Sequence, residues 1–276
     1  VVVVDNNSVD QTKRVVSELA QGARWPVRYL FEPKQGLSQA RNSGVRGARG
    51  TLLAFTDDDI IPHPKWVAAL WSAALEFGAE CVGGCILPLW TVPPPSWLLR
   101  QRDLLSSLGV NARGSQPMLG TIHDVYRTFG ANMAFQKRLF ADIGFFRTDL
   151  GLKGSQMILG EETEFLLRAF HAGKRMVYTP HAVVHHKITP AQIRLSHFRR
   201  RKFSEGRFAT LRGEVAPRPF PRWLVRQCGE HGLRSIWAYG RGRFEQVIRH
   251  EMTFLEQLGE LVEIVKPSHA NGALSA

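Results

Sequence analysis

Three consecutive carboxylates, Asp57, Asp58 and Asp59, follow the apolar run "LLAF" and precede a proline turn. In an extended chain, side chains two residues apart project to the same side, so Asp57 and Asp59 would share a side and Asp58 would point away. Two hard oxygen ligands suit Mg²⁺ or Mn²⁺, which take further ligands from water and substrate phosphates. A single Asp would cap the following helix, whereas three together repel one another unless a cation offsets their charge. The spacing therefore predicts a divalent-metal site.

The segments around these carboxylates alternate between strand and helix patterns. Strand-like runs "VVVV", "VRYLFE", "TLLAFT" and "ECVGGCIL" are separated by "QTKRVVSELAQG", "GLSQARNSGVRGA" and "PKWVAALWSAALEFG", which have helical character. This alternation predicts an α/β fold with a mainly parallel, Rossmann-like sheet flanked by helices. Ligands of such sheets bind at the carboxyl ends of the strands, which is where Asp57 and Asp59 fall.

The second half of the chain is less regular. The pattern weakens between Pro88 and Thr128 and resumes with "FGANMAFQKRLFADIGFF", the helix-like "EETEFLLRAFHAG" and the strand-like "RMVYTP". Beyond His186 the segments become basic, aromatic-rich and helix-like. We predict a catalytic domain over residues 1–206 and a basic helical extension with a frayed tail over residues 207–276.

Positive charge dominates the 276-residue chain, whose formal net charge is +12. Between Lys187 and Arg243 there are 14 Lys and Arg against 3 Asp and Glu. Such a field attracts phosphates, whether in a nucleotide, an anionic lipid or nucleic acid. The chain has no apolar run of about 18 residues and no signal-peptide pattern, so we predict a cytoplasmic location, with peripheral association at the cytoplasmic membrane face as one possibility. Three scattered cysteines predict no disulfide framework.

Five segments in order resemble the family 2 inverting glycosyltransferases of the GT-A fold: "VVVVDNNS", "GLSQARNSGVRGARGTLLAFTDDDIIP", "GANMAF", "LGEETEFLLRAFHAG" and "VYTPHAVVHH". The resemblance runs from Val1 to about Gly206. It implies metal-dependent inverting transfer of a sugar from a nucleotide-diphospho-sugar donor to a hydroxyl of a glycan or lipid-linked acceptor. Such a reaction would serve polysaccharide or other glycoconjugate biosynthesis.

The resemblance implies roles for residues on the donor side. Asp5 resembles the acidic residue that contacts the nucleobase or ribose, and Arg41 the basic residue that helps to order the acidic motif. Asp57 and Asp59 fit the DxD motif, which binds Mg²⁺ or Mn²⁺ and, through it, the donor diphosphate. Asp58, between them, is also assigned to binding of the donor nucleotide.

On the acceptor side, Gly130 and Asn132 in "GANMAF" resemble one wall of the acceptor pocket. Glu161 and Glu162 occupy the place of a Glu-Asp pair whose second member is the general base, which assigns that role to Glu162. Glu is one methylene longer than Asp, so either Glu162 adopts a different pose or Glu161 shares the task.

The strand-like "VYTPHAVVHH" resembles the segment ending in a His that contacts the metal or diphosphate, and the position of His186 fits better than that of His185. The basic "RLSHFRRRKFSEG" resembles the family's helix near the donor phosphates. The sequence does not indicate which Arg of this segment contacts them. The family's initial strand would precede Val1, so we expect the chain to be truncated at its N-terminus.

Other classes remain to be weighed. Aromatic residues among the arginines after Gly206 suit an anionic membrane surface, or the same helices pack back on the catalytic domain with their arginines in solvent. A nucleic-acid-binding module would explain the charge but not the acidic motifs, and no nucleic-acid signature is present, so no nucleic acid is expected. A sugar-phosphate nucleotidyltransferase would share the architecture, nucleotide and metal, and a non-catalytic relative would fit the Glu-for-Asp change.

Overall fold

The computed structural model describes residues 1–128, 130–152, 159–211 and 220–266. These residues divide into two compact units. The first comprises Val1–Leu89 and Gly109–Lys187, and the second comprises Trp90–Leu108 and the described chain from Ile188 onward. The predicted boundary between residues 206 and 207 does not coincide with these divisions. It separated a catalytic domain from a basic helical extension, and this assignment remains a prediction.

The strands all begin in the first unit, where apolar and β-branched residues dominate them. They are β1 (Val2–Asp5), β2 (Arg28–Phe31), β3 (Leu52–Phe55), β4 (Ile60–Pro62), β5 (Cys81–Trp90), β6 (Met118–Leu119), β7 (Met133–Gln136) and β8 (Met176–Ile188).

The helices occur in both units. They are α1 (Thr12–Gly22), α2 (Leu37–Gly47), α3 (Trp66–Glu76), α4 (Ser96–Arg100), α5 (Arg102–Ser106), α6 (Ile122–Val125), α7 (Leu139–Ile143), α8 (Glu161–His171), α9 (Leu195–Leu211), α10 (Arg222–Gly240) and α11 (Phe244–Val265), with a 3₁₀ turn at Gly130–Asn132. No helix in the described ranges is both long and apolar enough to cross a bilayer.

The sheet confirms the predicted α/β class, but the strand directions are mixed. Strands β1 and β2 pair in parallel, whereas the larger sheet has the order β3-β7-β5-β8-β4, with β6 against β8. Its β3–β7, β5–β7, β4–β8 and β6–β8 pairs are antiparallel, so the expectation of a mainly parallel sheet does not hold there. The reason is that helical crossovers dictate parallel pairing only between the strands they join. Strand β7 instead enters in reverse between β3 and β5.

An aromatic cluster joins the larger sheet to α8. Phe135 on β7 and Phe165 on α8 have ring centroids 4.9 Å apart, and Phe146 lies 4.6 Å from Phe165. Phe55 at the end of β3 and Phe140 on α7 complete the cluster. Edge-to-face and offset packing of buried aromatic rings stabilises such a core. The cluster fixes the end of β3 relative to α8, and these two elements carry the acidic residues of interest.

The second unit is built on close contact between α9 and α11. A methyl group added at Gly206 would overlap the Glu256 carbonyl oxygen, and one added at Gly259 would overlap that of Phe203. The two backbones therefore approach as closely as glycine permits. Helix α10 packs on α11 through a stripe that includes Leu224, Cys228 and Ala238.

Candidate functional site

Arg41 on α2 is a buried cation at the centre of the polar residues in the first unit, with 8% of its surface exposed. Its Nη1 donates to Glu161 Oε1 over 2.5 Å, and its Nη2 lies 3.8 Å from Asp57 Oδ1. Burial alone would lower the pKa of Arg41, but the adjacent Glu161 and Asp57 raise it instead. Arg41 thus joins the acidic segment after β3 to the start of α8.

Gly130 makes room for this arginine. A methyl group at Gly130 would overlap Arg41 Nη2 and crowd its guanidinium carbon. Because the guanidinium packs flat against the backbone of the 3₁₀ turn, only a residue without a side chain fits there. The structure therefore gives Gly130 a defined task, which is to seat Arg41.

We expect Gly130→Ala to lower the free energy of unfolding by about 1–3 kcal/mol, as overpacking of a filled site does, and to weaken any ligand binding that depends on Arg41. Urea unfolding of the chain measures the first effect. The matched control is Gly229→Ala, because an added methyl at that position in α10 meets no atom within 4 Å. The control should gain up to about 1 kcal/mol from helix propensity. Equal losses in both variants would contradict the role given to Gly130.

The three aspartates after β3 occupy different surroundings. Strand β3 ends at Phe55, and Asp58 lies exposed in a turn while Asp57 and Asp59 are partly covered. Asp59 Oδ2 lies 3.1 Å from His186 Nε2, and the Asp59 carbonyl accepts from the Lys187 backbone over 2.9 Å. Pairing of β4 with β8 sets Ile60 opposite His186 and thereby brings the imidazole to Asp59. The structure joins His186, rather than His185, to the acidic segment.

The carboxyl of Asp57 lies among several charged groups. Burial raises its pKa; Arg41 acts against this, while Asp59 and Glu161 raise the pKa further, and the net shift is upward. Like charges that resist ionisation together favour the approach of a cation.

The residues fit part of a cation site. Across the described ranges, no three His, Cys, Asp or Glu side chains are grouped as a complete metal site. Two carboxylates and an imidazole nevertheless provide the oxygen-rich donors that Mg²⁺ and Mn²⁺ use, and these ions commonly complete their shell with phosphate and water. Asp57, Asp59 and His186 are the residues that would contribute to such a shell.

Glu161 and Glu162 are the first two residues of α8, and their side chains have different surroundings. Gly160, with φ of 96°, turns the chain into the helix, and Glu161 is then buried against Arg41. The Oε2 atom of Glu162 is buried and has no hydrogen-bond partner in the part of the chain that the structure describes. Burial, followed by the charge of Glu161, raises the pKa of Glu162 to about 8. A carboxyl with a pKa near neutrality is typical of a group that transfers protons.

Asp5 is held as an anion at the end of β1. Its two oxygens accept from the Tyr29 hydroxyl over 2.6 Å and from the Ser8 backbone over 2.8 Å. The Tyr29 hydrogen bond, together with that of Ser8, lowers the pKa of Asp5 against the opposing effect of burial. The next residue, Asn6, was not singled out by the sequence. It bonds to Lys34 O and Gly36 N and so anchors the loop leading to α2.

The polar side-chain atoms of Asn132 form hydrogen bonds inside the protein. Its Oδ1 accepts from Trp66 Nε1 over 2.8 Å, and its Nδ2 donates to the carbonyls of Cys85 and Ala182 at 2.9 and 2.8 Å. The side chain is 1% exposed and ties the 3₁₀ turn to β5, β8 and α3. Its geometry is that of a positioning residue, and contact between an acceptor and Asn132 or Gly130 stays a prediction.

The basic helix α9 belongs to the second unit, where most of its cations have acidic partners. Arg199 pairs with Glu251 at 2.8 Å, and Lys202 pairs with Glu205 at 2.7 Å and with Glu256 at 3.2 Å. Arg201 also pairs with Glu205, at 3.1 Å. The pairs with Glu251 and Glu256 bind α9 to α11, whereas those with Glu205 lie within α9, and the expected contact of this helix with donor phosphates stays a prediction.

Two polar residues of α2 hold the segment that leads to α8, and both were missed in the sequence. Asn42 forms two bonds with the Phe146 backbone, at 2.8 and 3.0 Å, and Ser38 Oγ donates to Leu150 O over 2.7 Å. A signal was present, because Ser38 and Asn42 lie one turn apart on the same helix face as the buried Val45. Part of the loop that follows, residues 153–158, lies outside the described residues.

Comparison with known proteins identifies the architecture and the family. The structure of GalNAc-T7, with UDP, GalNAc and Mn²⁺, aligns with 79% of this chain and 45% of that one, at a TM-score of 0.51 and 17% identity. The sheet flanked by helices is accordingly that of a GT-A glycosyltransferase. The sequence model of "Glycosyl transferase family 2" matches residues 1–140, just over half of the chain. The chain belongs to glycosyl transferase family 2.

Two curated relatives are similar over longer stretches. The glucosyl-dolichyl phosphate glucuronosyltransferase of Haloferax volcanii is 27% identical over 190 residues, which are 68% of this chain and 58% of that protein. The succinoglycan biosynthesis protein ExoM of Rhizobium meliloti is 27% identical over 237 residues, 86% of this chain and 68% of that protein. The chain thus spans between about half and two thirds of the length of these relatives.

Proposed function

We propose that this chain transfers a sugar from a nucleotide-diphospho-sugar to an acceptor hydroxyl, with inversion, in the biosynthesis of a polysaccharide or other glycoconjugate. The observation that carries the proposal is the buried contact of Arg41 with both Asp57 and Glu161. A single cation thereby unites a group suited to phosphate and metal with a carboxyl pair suited to proton transfer. Family membership gives this arrangement its interpretation.

On the donor side, Asp57, Asp59 and His186 would hold Mg²⁺ or Mn²⁺. When bound, the ion would act as a Lewis acid that neutralises the negative charge developing on the departing diphosphate. Arg41 keeps Asp57 oriented, and His186 does so for Asp59 through its 3.1 Å contact. Asp5, held as an anion by Tyr29 and Ser8, is proposed to contact the nucleoside of the donor. Asp58 is also proposed to bind the donor nucleotide.

On the acceptor side, Glu162 would take the hydroxyl proton as the oxygen attacks the anomeric carbon. Glu161 is less suited to this step, because its carboxylate is paired with Arg41. Glu162 has a buried oxygen without a partner and a pKa raised to about 8, so it can exchange a proton near neutral pH. One base and no carboxylate nucleophile correspond to a single displacement, which inverts the anomeric centre.

The names of the relatives indicate acceptor classes. One relative is named for a dolichyl phosphate substrate and the other for succinoglycan biosynthesis. We therefore propose a glycan or a lipid-linked acceptor for this chain.

The donor site is tested by equilibrium binding of a panel of nucleotide-sugars with Mn²⁺ or Mg²⁺. We expect binding of one donor to require the ion, and Asp59→Asn to weaken ion-dependent binding by about tenfold or more, because a charged ligand is lost. Glu76→Gln is the matched control, because it removes one negative charge from an exposed position of α3 and should leave ion-dependent binding unchanged.

Two results would refute this assignment. One is ion-dependent donor binding that Asp59→Asn leaves unchanged. The other is turnover of a nucleoside triphosphate and a sugar phosphate with release of pyrophosphate, which would identify a nucleotidyltransferase.

A further inference from the structure

The outer face of α10 carries large apolar side chains turned away from α11. We define this face by Trp223, Arg226, Leu233, Trp237 and Arg241, which recur on one side of a helix with 3.6 residues per turn. Leu233 is 70% exposed, and Trp223 and Trp237 are 55% and 51% exposed. Exposed apolar side chains that recur along one helix face mark an interaction surface.

Basic side chains accompany these apolar residues. Residues 220–244 contain five arginines and one glutamate, Glu230, whose carboxylate pairs with Arg226 at 2.9 Å. The guanidinium carbon of Arg241 lies 4.0 Å from the centre of the Trp237 ring, and that of Arg243 lies 5.5 Å away. A guanidinium stacked on an exposed tryptophan ring keeps its edges in water, within reach of phosphate groups. The face is therefore apolar and positively charged at once.

The combination selects one kind of partner. A nucleic acid would use the arginines, but it offers no apolar contact for Leu233 or for Ile236, which are each 70% exposed. A protein interface is also enriched in tryptophan and arginine, but a protein partner would have to supply acidic residues for arginines that far exceed the single Glu230 of this segment. The interface of an anionic bilayer accommodates both, because tryptophan prefers the headgroup level and arginine pairs with lipid phosphates.

We propose that the outer face of α10 binds the surface of anionic membranes. Apolar side chains enter the headgroup region while the flanking arginines contact lipid phosphates. Binding needs neither a sugar donor nor an acceptor, so it can fail or succeed independently of the proposed transfer reaction. It would deepen that function by bringing the chain to the surface where a lipid-linked acceptor resides.

Pelleting with sucrose-loaded vesicles tests the proposal on the whole chain. Vesicles of phosphatidylcholine alone are compared with vesicles that also contain phosphatidylserine, at low and high salt. We expect binding to the anionic vesicles, weakened by salt. Arg226→Gln with Arg241→Gln should weaken it by about 25-fold, at about fivefold for each arginine. Leu233→Ser with Trp237→Ser should weaken it by about tenfold or more.

The control carries the same loss of charge elsewhere. Arg24→Gln with Arg49→Gln changes two exposed arginines of the first unit and should alter binding by less than about twofold. Circular dichroism confirms that each variant is folded. Equal binding to neutral vesicles, or a control as weak as the α10 charge variant, would overturn the proposal. So would unchanged vesicle binding by the apolar variant together with tight binding of a DNA duplex.

Discussion

Replacing Arg41 by Met should cost about 3–5 kcal/mol of unfolding free energy and abolish donor binding. Removal of one partner leaves Glu161 as an uncompensated buried charge, which is among the most destabilising single changes known for a protein interior. The pair is well buried, with 7% of the Arg41 side chain and 4% of the Glu161 side chain exposed. The same change releases Asp57, because the cation 3.8 Å from its carboxylate disappears.

Urea unfolding and donor binding of Arg41→Met measure the two effects. Arg46→Met is the matched control on the same helix, because Arg46 is exposed and its guanidinium carbon lies 4.8 Å from the centre of the Phe145 ring. It should cost less than about 1 kcal/mol. Adding Glu161→Gln to Arg41→Met should restore part of the stability, because it removes the stranded charge, but not donor binding. A fully stable Arg41→Met chain would refute the central position of this residue.

Glu162→Gln is expected to slow sugar transfer by about 10²–10⁴-fold while leaving donor binding intact. That range is typical for the loss of a positioned general base. Glutamine has nearly the same shape, and Glu162 is largely protonated in the folded chain at pH 7 with a pKa of about 8, so the folded structure should be preserved. Glu164→Gln, in the same first helical turn, is the control and should transfer at nearly the original rate, since Glu164 is occupied by Arg168 at 2.7 Å.

The pH dependence follows from the same carboxyl. In the unfolded chain Glu162 ionises near its ordinary pKa of 4.5, whereas in the folded chain it resists ionisation up to about 8. Its contribution to stability is therefore fully present below pH 4.5 and is lost as the pH rises through about 8. Activity should change in the opposite direction, because the base must be ionised, so kcat/KM should increase towards pH 8.

Measured pH profiles of unfolding and of transfer separate these effects. In Glu162→Gln the alkaline loss of stability should shrink, because the ionising group is gone. Transfer that survives in Glu162→Gln with its original pH profile would show that another group is the base, with Glu161 the first candidate.

Local patterns in the sequence predicted two segments of the candidate site, the strand before the aspartates and the strand that carries His186. The apolar run predicted strand β3, but the strand ends at Phe55 and Asp58 lies in a turn, so alternation along an extended chain does not explain its exposure. The choice of His186 over His185 agrees with its contact to Asp59, which β4–β8 pairing creates. The functional roles of these residues are predictions that the donor-binding and transfer measurements test.

Long-range contacts could not be predicted in the same way. Arg41 and Glu161 are 120 residues apart in the chain, and nothing in either local pattern indicates their pairing. Gly130 was assigned to the acceptor wall, and nothing in its sequence context indicates the Arg41 guanidinium that packs against it. The direction of β7 was missed because the sequence between β5 and β7 has a weak pattern, although the segment contains the short helices α4, α5 and α6.

The contact of α9 with α11 at Gly206 and Gly259 limits which substitutions the second unit tolerates. Where two backbones touch, neither helix can slide along the other without driving a side chain into a peptide group. Larger residues at these two positions are therefore excluded, whereas the outward side of α10 is free to change its composition. Substitutions in this unit should therefore be tolerated better at the exposed positions of α10 than at Gly206 and Gly259.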